Sequence, residues 1–314
     1  MIRYLQARLL ALVLVLALMS VIVFSFVHLI PGDPVVAILG TEVDQATQQA
    51  LRHAMGLDRP VLEQYVLWVG RALRGNLGES VRTHEAVSAI LAQKLPVTLQ
   101  LTAAAMIVGV CIALPAGVLA AVRRNSAIDL GAMGVALGGV SIPSFWLGVM
   151  LILLFSLHWR LFPSIGYVPV GRDPGDALRH IVLPALTLGL GLAGALTRMV
   201  RSDVLEELGR EYVRTARAKG LRFARVIGRH ILRNALLPTL TVLGVQVSVL
   251  LGGAVITEQI FAWPGVGQLI VQAVQSRDYP LLQGAILIVA ALAAAVQLLV
   301  DVAYALMNPR IRFG

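Results

Sequence analysis

The sequence predicts an all-α, polytopic fold that crosses a membrane six times, and three observations lead there. Of the 314 residues 58% are hydrophobic and 14% charged, whereas soluble domains run to roughly 45–50% and about 25%. The apolar residues collect into six runs, at 9–30, 97–122, 130–157, 181–200, 239–257 and 281–306, each close to the ~20 residues that span about 30 Å of hydrocarbon. The net charge of +9 is spread over the segments between those runs in the manner of the positive-inside rule.

The first run follows Arg3 and Arg8 and so has the look of a secretory signal. It is longer than a signal core of about 7–15 residues, and no small-x-small cleavage site follows. It reads as a first span with its N-terminus inside, ending at the stop signal Pro31, Gly32, Asp33 and Pro34. Residues 1–30 are then an N-terminal segment with the first span, 31–96 an outer loop domain, and 97–314 a five-span core. In the loop domain Val61, Leu62, Tyr65, Val66, Trp68 and Val69 recur at near-helical spacing, and the pattern breaks at Gly75 to Gly78. About 60 residues bury only a marginal core alone, so this domain is expected to rest on the membrane body or on a partner.

The second span holds Pro115 and returns the chain inside at Arg123 and Arg124. The third holds Gly131, Gly134, Gly138, Gly139 and Pro143, and the fourth holds Gly189, Gly191 and Gly194. Small residues let helix backbones approach closely; pore lining is the other reading of the same positions. The fifth span leads through an outer loop, 258–279, to the sixth, and Arg310 and Arg312 end the chain. Six crossings put both termini on one side. With that side cytoplasmic, 16 of the 26 basic residues lie inside, ten of them between Arg198 and Arg233.

The stretch 203–238 is the one long, heavily charged segment between two apolar runs. Arg210, Arg214 and Arg217 fall on one helical face; after Gly220, Arg222, Arg225, Arg229 and Arg233 form a second stripe, with Phe223, Val226, Ile227 and Ile231 on a different, apolar face. The expected local form is helix, glycine bend, helix. An orienting loop needs only a few cations; two amphipathic helices imply a partner surface.

Several chemistries are excluded. The lysines are Lys94 and Lys219, neither preceded by Gly, so there is no GxxxxGK[ST] loop to cradle phosphates. His84 and Glu85 do not begin an HExxH, and no GxSxG elbow occurs. His158 and His180 flank an outer loop and suit headgroups better than a hydrolase site. The single Cys111 lies in an apolar run, which excludes an intrachain disulfide and reads as a small buried hydrophobe. The basic groups lack the aromatic interleaving of a nucleic-acid surface, and lipid headgroups explain them better. Among polar residues inside the spans, Gln246, Ser248 and Asp301 are candidates to line a pathway, with Thr187 and Gln297 as further uncharged groups; interhelical hydrogen bonding, or for Asp301 pairing with an interfacial Arg, is the alternative.

Taken in order, Leu29 to Pro34, Gly56 to Pro60, Ser141 to Gly148, Tyr212 to Leu221, Arg233 to Pro238, Phe261 to Gly267, Arg277 to Pro280 and Asn308 to Arg310 resemble the permease subunits of bacterial ATP-binding-cassette importers, specifically the B-type permease of the dipeptide, oligopeptide and nickel class. The resemblance covers nearly the whole chain. It implies an inner-membrane subunit that imports peptides or peptide-like solutes by alternating access. Partners implied are a related second permease, two cytoplasmic ATPases and an external solute-binding protein, with ATP and Mg bound on the ATPases and none by this chain. A self-contained secondary transporter or channel, or an intramembrane enzyme, is the competing class. Within 201–237, the resemblance makes Tyr212, Arg214, Thr215, Ala216, Arg217, Ala218, Lys219, Gly220 and Leu221 the ATPase-coupling segment, the EAA loop of the family, with Ala216 on its docking face. The Glu-Ala-Ala is only partly present, as Arg214, Thr215 and Ala216, and the gap from Gly220 to Leu237 and Pro238 is a few residues longer than the general pattern. The same pattern makes Phe261, Trp263, Pro264 and Gly265 an outer gate or a binding-protein contact, with the two aromatics exposed.

Overall fold

The computed structural model of the chain describes residues 2–29, 44–54 and 58–307. Its described residues form helices and connecting turns, with a single isolated bridge between Glu79 and Ala86. The helices are α1 (Ile2–Leu29), α2 (Gln45–Ala54), α3 (Val61–Ala72), α4 (Val87–Val122), α5 (Ala127–Ser141), α6 (Ser144–Leu151), α7 (Pro174–Leu208), α8 (Glu211–Ala218), α9 (Phe223–Val226), α10 (Leu232–Ile260), α11 (Val266–Gln275) and α12 (Tyr279–Met307). A π-helical stretch, Ile152–His158, prolongs α6, and another, Ile227–Ile231, joins α9 to α10.

Five helices, α1, α4, α7, α10 and α12, contain segments long and apolar enough to cross a membrane. A sixth crossing is made if α5 and α6 count as one broken span, since these two meet at 104°. The single long span predicted over 130–157, which carries Pro143, is thus bent at that proline. Ile142 adopts φ −78°, ψ 124° and Pro143 φ −59°, ψ 133°, because proline disfavours helical angles in the residue before it. Cys111, predicted buried, is exposed on α4. In a chain with this composition an apolar side chain is as well placed against lipid as in a core. The motifs at 30–34, 56–57 and 308–310 lie outside the described residues.

The chain divides into two compact units, one built on Leu99–Trp263 with the chain from Val296, the other on Gln6–Thr98 with Pro264–Ala295. In the first, α5, α6 and α10 pack on α7. The approach of α5 is close: a Cβ on Gly194 of α7 would stand 2.4 Å from the Ala136 carbonyl oxygen, which is the small-residue packing read from the sequence. The N-terminus of α5 is clamped as well. Ser126 caps it, and Asp129, 3% exposed, accepts two hydrogen bonds from Arg201 at 2.5 and 2.7 Å and one from the Asn125 amide at 2.9 Å.

The second unit has its own core, where Val87, Ile90 and Leu91 of α4 meet Val266, Leu269 and Ala273 of α11 and Leu281, Leu282 and Ala285 of α12. Buried polar groups fasten its turns. Asp278 accepts from the Ser80 hydroxyl at 2.5 Å and from the Leu281 amide at 3.2 Å, so it caps α12 while holding the 80–83 turn. Thr98 accepts from the Val266 amide at 2.8 Å at the start of α11.

Candidate functional site

The charged stretch singled out by the sequence folds as α8, a tight turn, and a helix that runs without interruption from Phe223 through the π turn to Ile260. The predicted second helix is therefore the start of the fifth span's helix. The turn is a Schellman stop. The Leu221 amide donates to the Ala216 carbonyl at 3.3 Å and the Gly220 amide to that of Arg217 at 2.9 Å, while Gly220 takes φ +75°, a left-handed value that a Cβ resists. Leu221 and Ala216 both pack on one apolar cluster, the contact that accompanies this stop.

That cluster is the floor on which α8 sits. It contains Ala121, Val200, Val204, Val213, Val226, Ile231 and Ala235, all buried, with Tyr212, Ala216 and Leu221 packed against it. Burying Val213 contributes about 1.5–3 kcal/mol, whereas the exposed Arg214–Glu211 pair at 3.0 Å contributes at most about 1 kcal/mol. The helix is held by its apolar face, not by its charges. Ala216, expected on the docking face, instead points to the floor, because it lies three residues from Val213 on the same helical side. The exposed side carries Arg214, Thr215, Arg217, Ala218, Lys219 and Gly220.

Polar contacts set the ends of this segment. The Tyr212 hydroxyl donates to Glu207 at 2.5 Å, and Asn234 donates to Tyr212 at 3.5 Å. Burial, then the bond to Glu207, holds the Tyr212 phenol above its ordinary pKa, so it remains a donor. Arg210 pairs with Glu206 at 2.6 Å, and the Arg217 guanidinium lies 4.7 Å over the Phe223 ring. Among the described residues, exposed Lys219, Arg222, Arg225, Arg229 and Arg233 have no ion-pair partner.

In the same unit a cavity of about 330 Å³ opens at the break between α5 and α6. Gly139, Ile142 and Ser144 line it from the break, Thr187 and Gly191 from α7, and Gln246 from α10. Of the three pathway candidates the cavity therefore brings in Gln246. Ser248 is half-buried off its wall; Asp301 is buried elsewhere and accepts a 3.5 Å hydrogen bond from Gln297. Thr187 turns its hydroxyl back to the Leu183 carbonyl at 2.8 Å.

Phe261 and Trp263 are not exposed, which corrects the expectation for the outer loop. They are 1% and 0% exposed: Trp263 stacks edge-on with Tyr167 at 4.8 Å, and the Phe261 carbonyl accepts from the Gly166 amide at 2.9 Å. Ala262, with φ +49°, is the residue left outside. Pro264 is half-buried and Gly265 buried. Sequence reasoning missed the Asp129–Arg201 clamp. The signal was present, since Ser126 followed three residues on by an acid before an apolar run is a helix-start pattern.

Comparison with known proteins gives a consistent set of relatives. Residues 113–313 match the family described as the binding-protein-dependent transport system inner membrane component, and residues 1–102 match the corresponding N-terminal family. The dipeptide transport system permease protein DppB of Escherichia coli (strain K12) is 43% identical over 317 residues, covering 93% of this chain and 94% of the relative. The di/tripeptide transport system permease protein DppB of Pseudomonas aeruginosa is 45% identical over 314 residues, again covering 93% and 94%. A putative peptide permease protein of Brucella suis is 42% identical with 99% of both chains covered. Among solved structures, an inward-facing MetNI methionine ABC transporter aligns with a TM-score of 0.57 at 22% identity, over 70% of this chain and 96% of the other.

Proposed function

The chain belongs to the inner-membrane component family of binding-protein-dependent transport systems, and from that premise we propose that it carries di- or oligopeptides across the membrane with energy received through α8. It is a multi-pass permease subunit of an ATP-binding-cassette importer. In the proposed assembly it pairs with a related second permease and receives solute from an external binding protein. ATP and Mg are bound on two separate cytoplasmic ATPases, and both termini of this chain are cytoplasmic. Peptides as the cargo are supported by the names of the two DppB permeases and of the Brucella suis relative, a putative peptide permease.

The observation that carries the coupling role is the construction of 212–221. Its exposed side is cationic and its other side is pinned to Val200 and Val204 of α7 and, through Val226 and Ile231, to the helix that becomes α10. A load on α8 is then passed to two membrane helices at once, because close-packed interiors shift as units and do not deform continuously. The cavity at the α5–α6 break lies between those same helices and is the proposed stretch of the pathway, with Gln246 facing the cargo.

Purification of the tagged chain from its native membrane tests this reading. Expected is copurification of an ATPase and a second permease, and, in proteoliposomes with the binding protein, peptide uptake that stops without ATP. Uptake by the lone chain driven by an ion gradient would overturn it.

A further inference from the structure

Helix α3 has three faces, and only two of them are explained by the fold. One packs on α1: the Tyr65 hydroxyl is 2.8 Å from that of Ser20, and the Phe24 ring lies 5.4 Å from Tyr65 and 5.9 Å from Trp68. At about 100° per residue, Glu63 and Arg71 fall on a second, exposed arc that also carries Leu67, 44% exposed, and Arg74 follows in the turn after the helix. Between these lies a third, narrow arc of Leu62, Val66 and Leu73, which are 75%, 61% and 84% exposed.

We infer that α3 is an interfacial helix whose Leu62, Val66 and Leu73 side chains lie in the lipid bilayer, at the boundary of headgroups and acyl chains. The depth is set by α1. Ser20 and Phe24 belong to Gln6–Phe26, the segment of α1 apolar enough to cross the membrane, and Phe24 is two residues from its end. A helix bonded to those residues lies within reach of hydrocarbon. The apolar arc is continuous in kind with the flank of α1, where Leu14, Leu18, Val21 and Ile22 are exposed within the membrane-crossing segment. A water-soluble partner would have to enter the acyl region to cover it. Tyr65 and Trp68 fit the same placement, since amphipathic aromatic rings favour headgroup depth, and one apolar arc beside one charged arc is the pattern of helices lying 5–10 Å into the interface.

The test uses the assembled importer in lipid nanodiscs. Replacing the one cysteine by Cys111→Ser allows nitroxide labels at Leu62→Cys, Val66→Cys and Leu73→Cys, and at Glu63→Cys, Arg71→Cys and Arg74→Cys. Power saturation with oxygen and with a nickel chelate reads depth. Expected is oxygen contact exceeding nickel contact at least threefold for the first set and the reverse for the second. Equal nickel access in both sets overturns the inference, as does shielding of Val66→Cys from both reagents, which marks a protein cover. In the unaltered chain, a phospholipid carrying a diazirine near the carbonyl of its acyl chain is expected to label 61–73. Labelling of α1 with none on 61–73 gives the contrary result.

Discussion

At 219–221 the helical chain stops because one residue can take an angle the others resist; at 141–143 it turns through 104° with every residue in ordinary extended or helical territory. The first break is local. Gly220 at φ +75° and two amide bonds from Gly220 and Leu221 close the last turn of α8 within six residues. The second is not. Pro96, Pro115, Pro184 and Pro238 all lie inside helices that continue past them, so a proline in an apolar run does not of itself break a membrane helix. Each of those four follows a Leu, whereas Pro143 follows the β-branched Ile142, which is stiffer at χ1 and has a slightly lower helix propensity. The direction of the bend is then held by packing, through the Asp129–Arg201 clamp at one end of α5 and the close approach at Gly194 farther along.

The contrast predicts different responses. Gly220→Pro strikes the local break hardest, because proline requires φ near −65° and removes the amide that bonds to Arg217. Uptake by proteoliposomes of the whole importer is expected to fall at least tenfold while the chain still inserts and ATP is still hydrolysed. Wild-type uptake would take the capped helix out of the coupling route. Asp129→Asn acts on the other break by leaving Arg201 without its charge partner. A lowered thermal midpoint is expected, together with a broadened distance distribution between spin labels on α5 and α6. A bend unchanged in width would show that Ile142 and Pro143 suffice without the clamp. Gly220→Ala is the mildest. Nothing lies within 4 Å of the added Cβ, so the left-handed angle alone is penalised, by about 1–2 kcal/mol, and partial uptake is expected to remain. Loss as complete as with proline would mean that the angle matters less than the bare surface at Gly220.

Amphipathic patterning was a good guide where a segment meets a single environment on each side. The stripe Val226, Ile227 and Ile231 read from spacing is the face that packs on the floor under α8, and among the described residues five of the apolar runs lie in single helices while the third is divided at Ile142 and Pro143. It was a poor guide to exposure in apolar sequence. Cys111 faces outward and Leu62 is bare, while Phe261 and Trp263 are buried. In a membrane protein lipid and core reward the same side chains, so composition does not say which of the two a residue meets. Ala216 shows the same limit at closer range: its motif marked it for the docking face, while its three-residue spacing from Val213 turns it to the floor.

What the sequence determined by itself is whatever rests on local chemistry: helices from apolar runs long enough to span a bilayer, a stop at a glycine, a cationic side facing away from an apolar one, and the lack of a nucleotide loop in this chain. What only the tertiary structure decided is which of many equivalent apolar surfaces meet one another. The bend at Ile142, the cavity beside it with Gln246 on its wall, and the bidentate grip of Arg201 on Asp129 depend on contacts between different helices, far apart in the chain. Such contacts arise from shape and from the satisfaction of buried polar groups, and a linear pattern does not encode either.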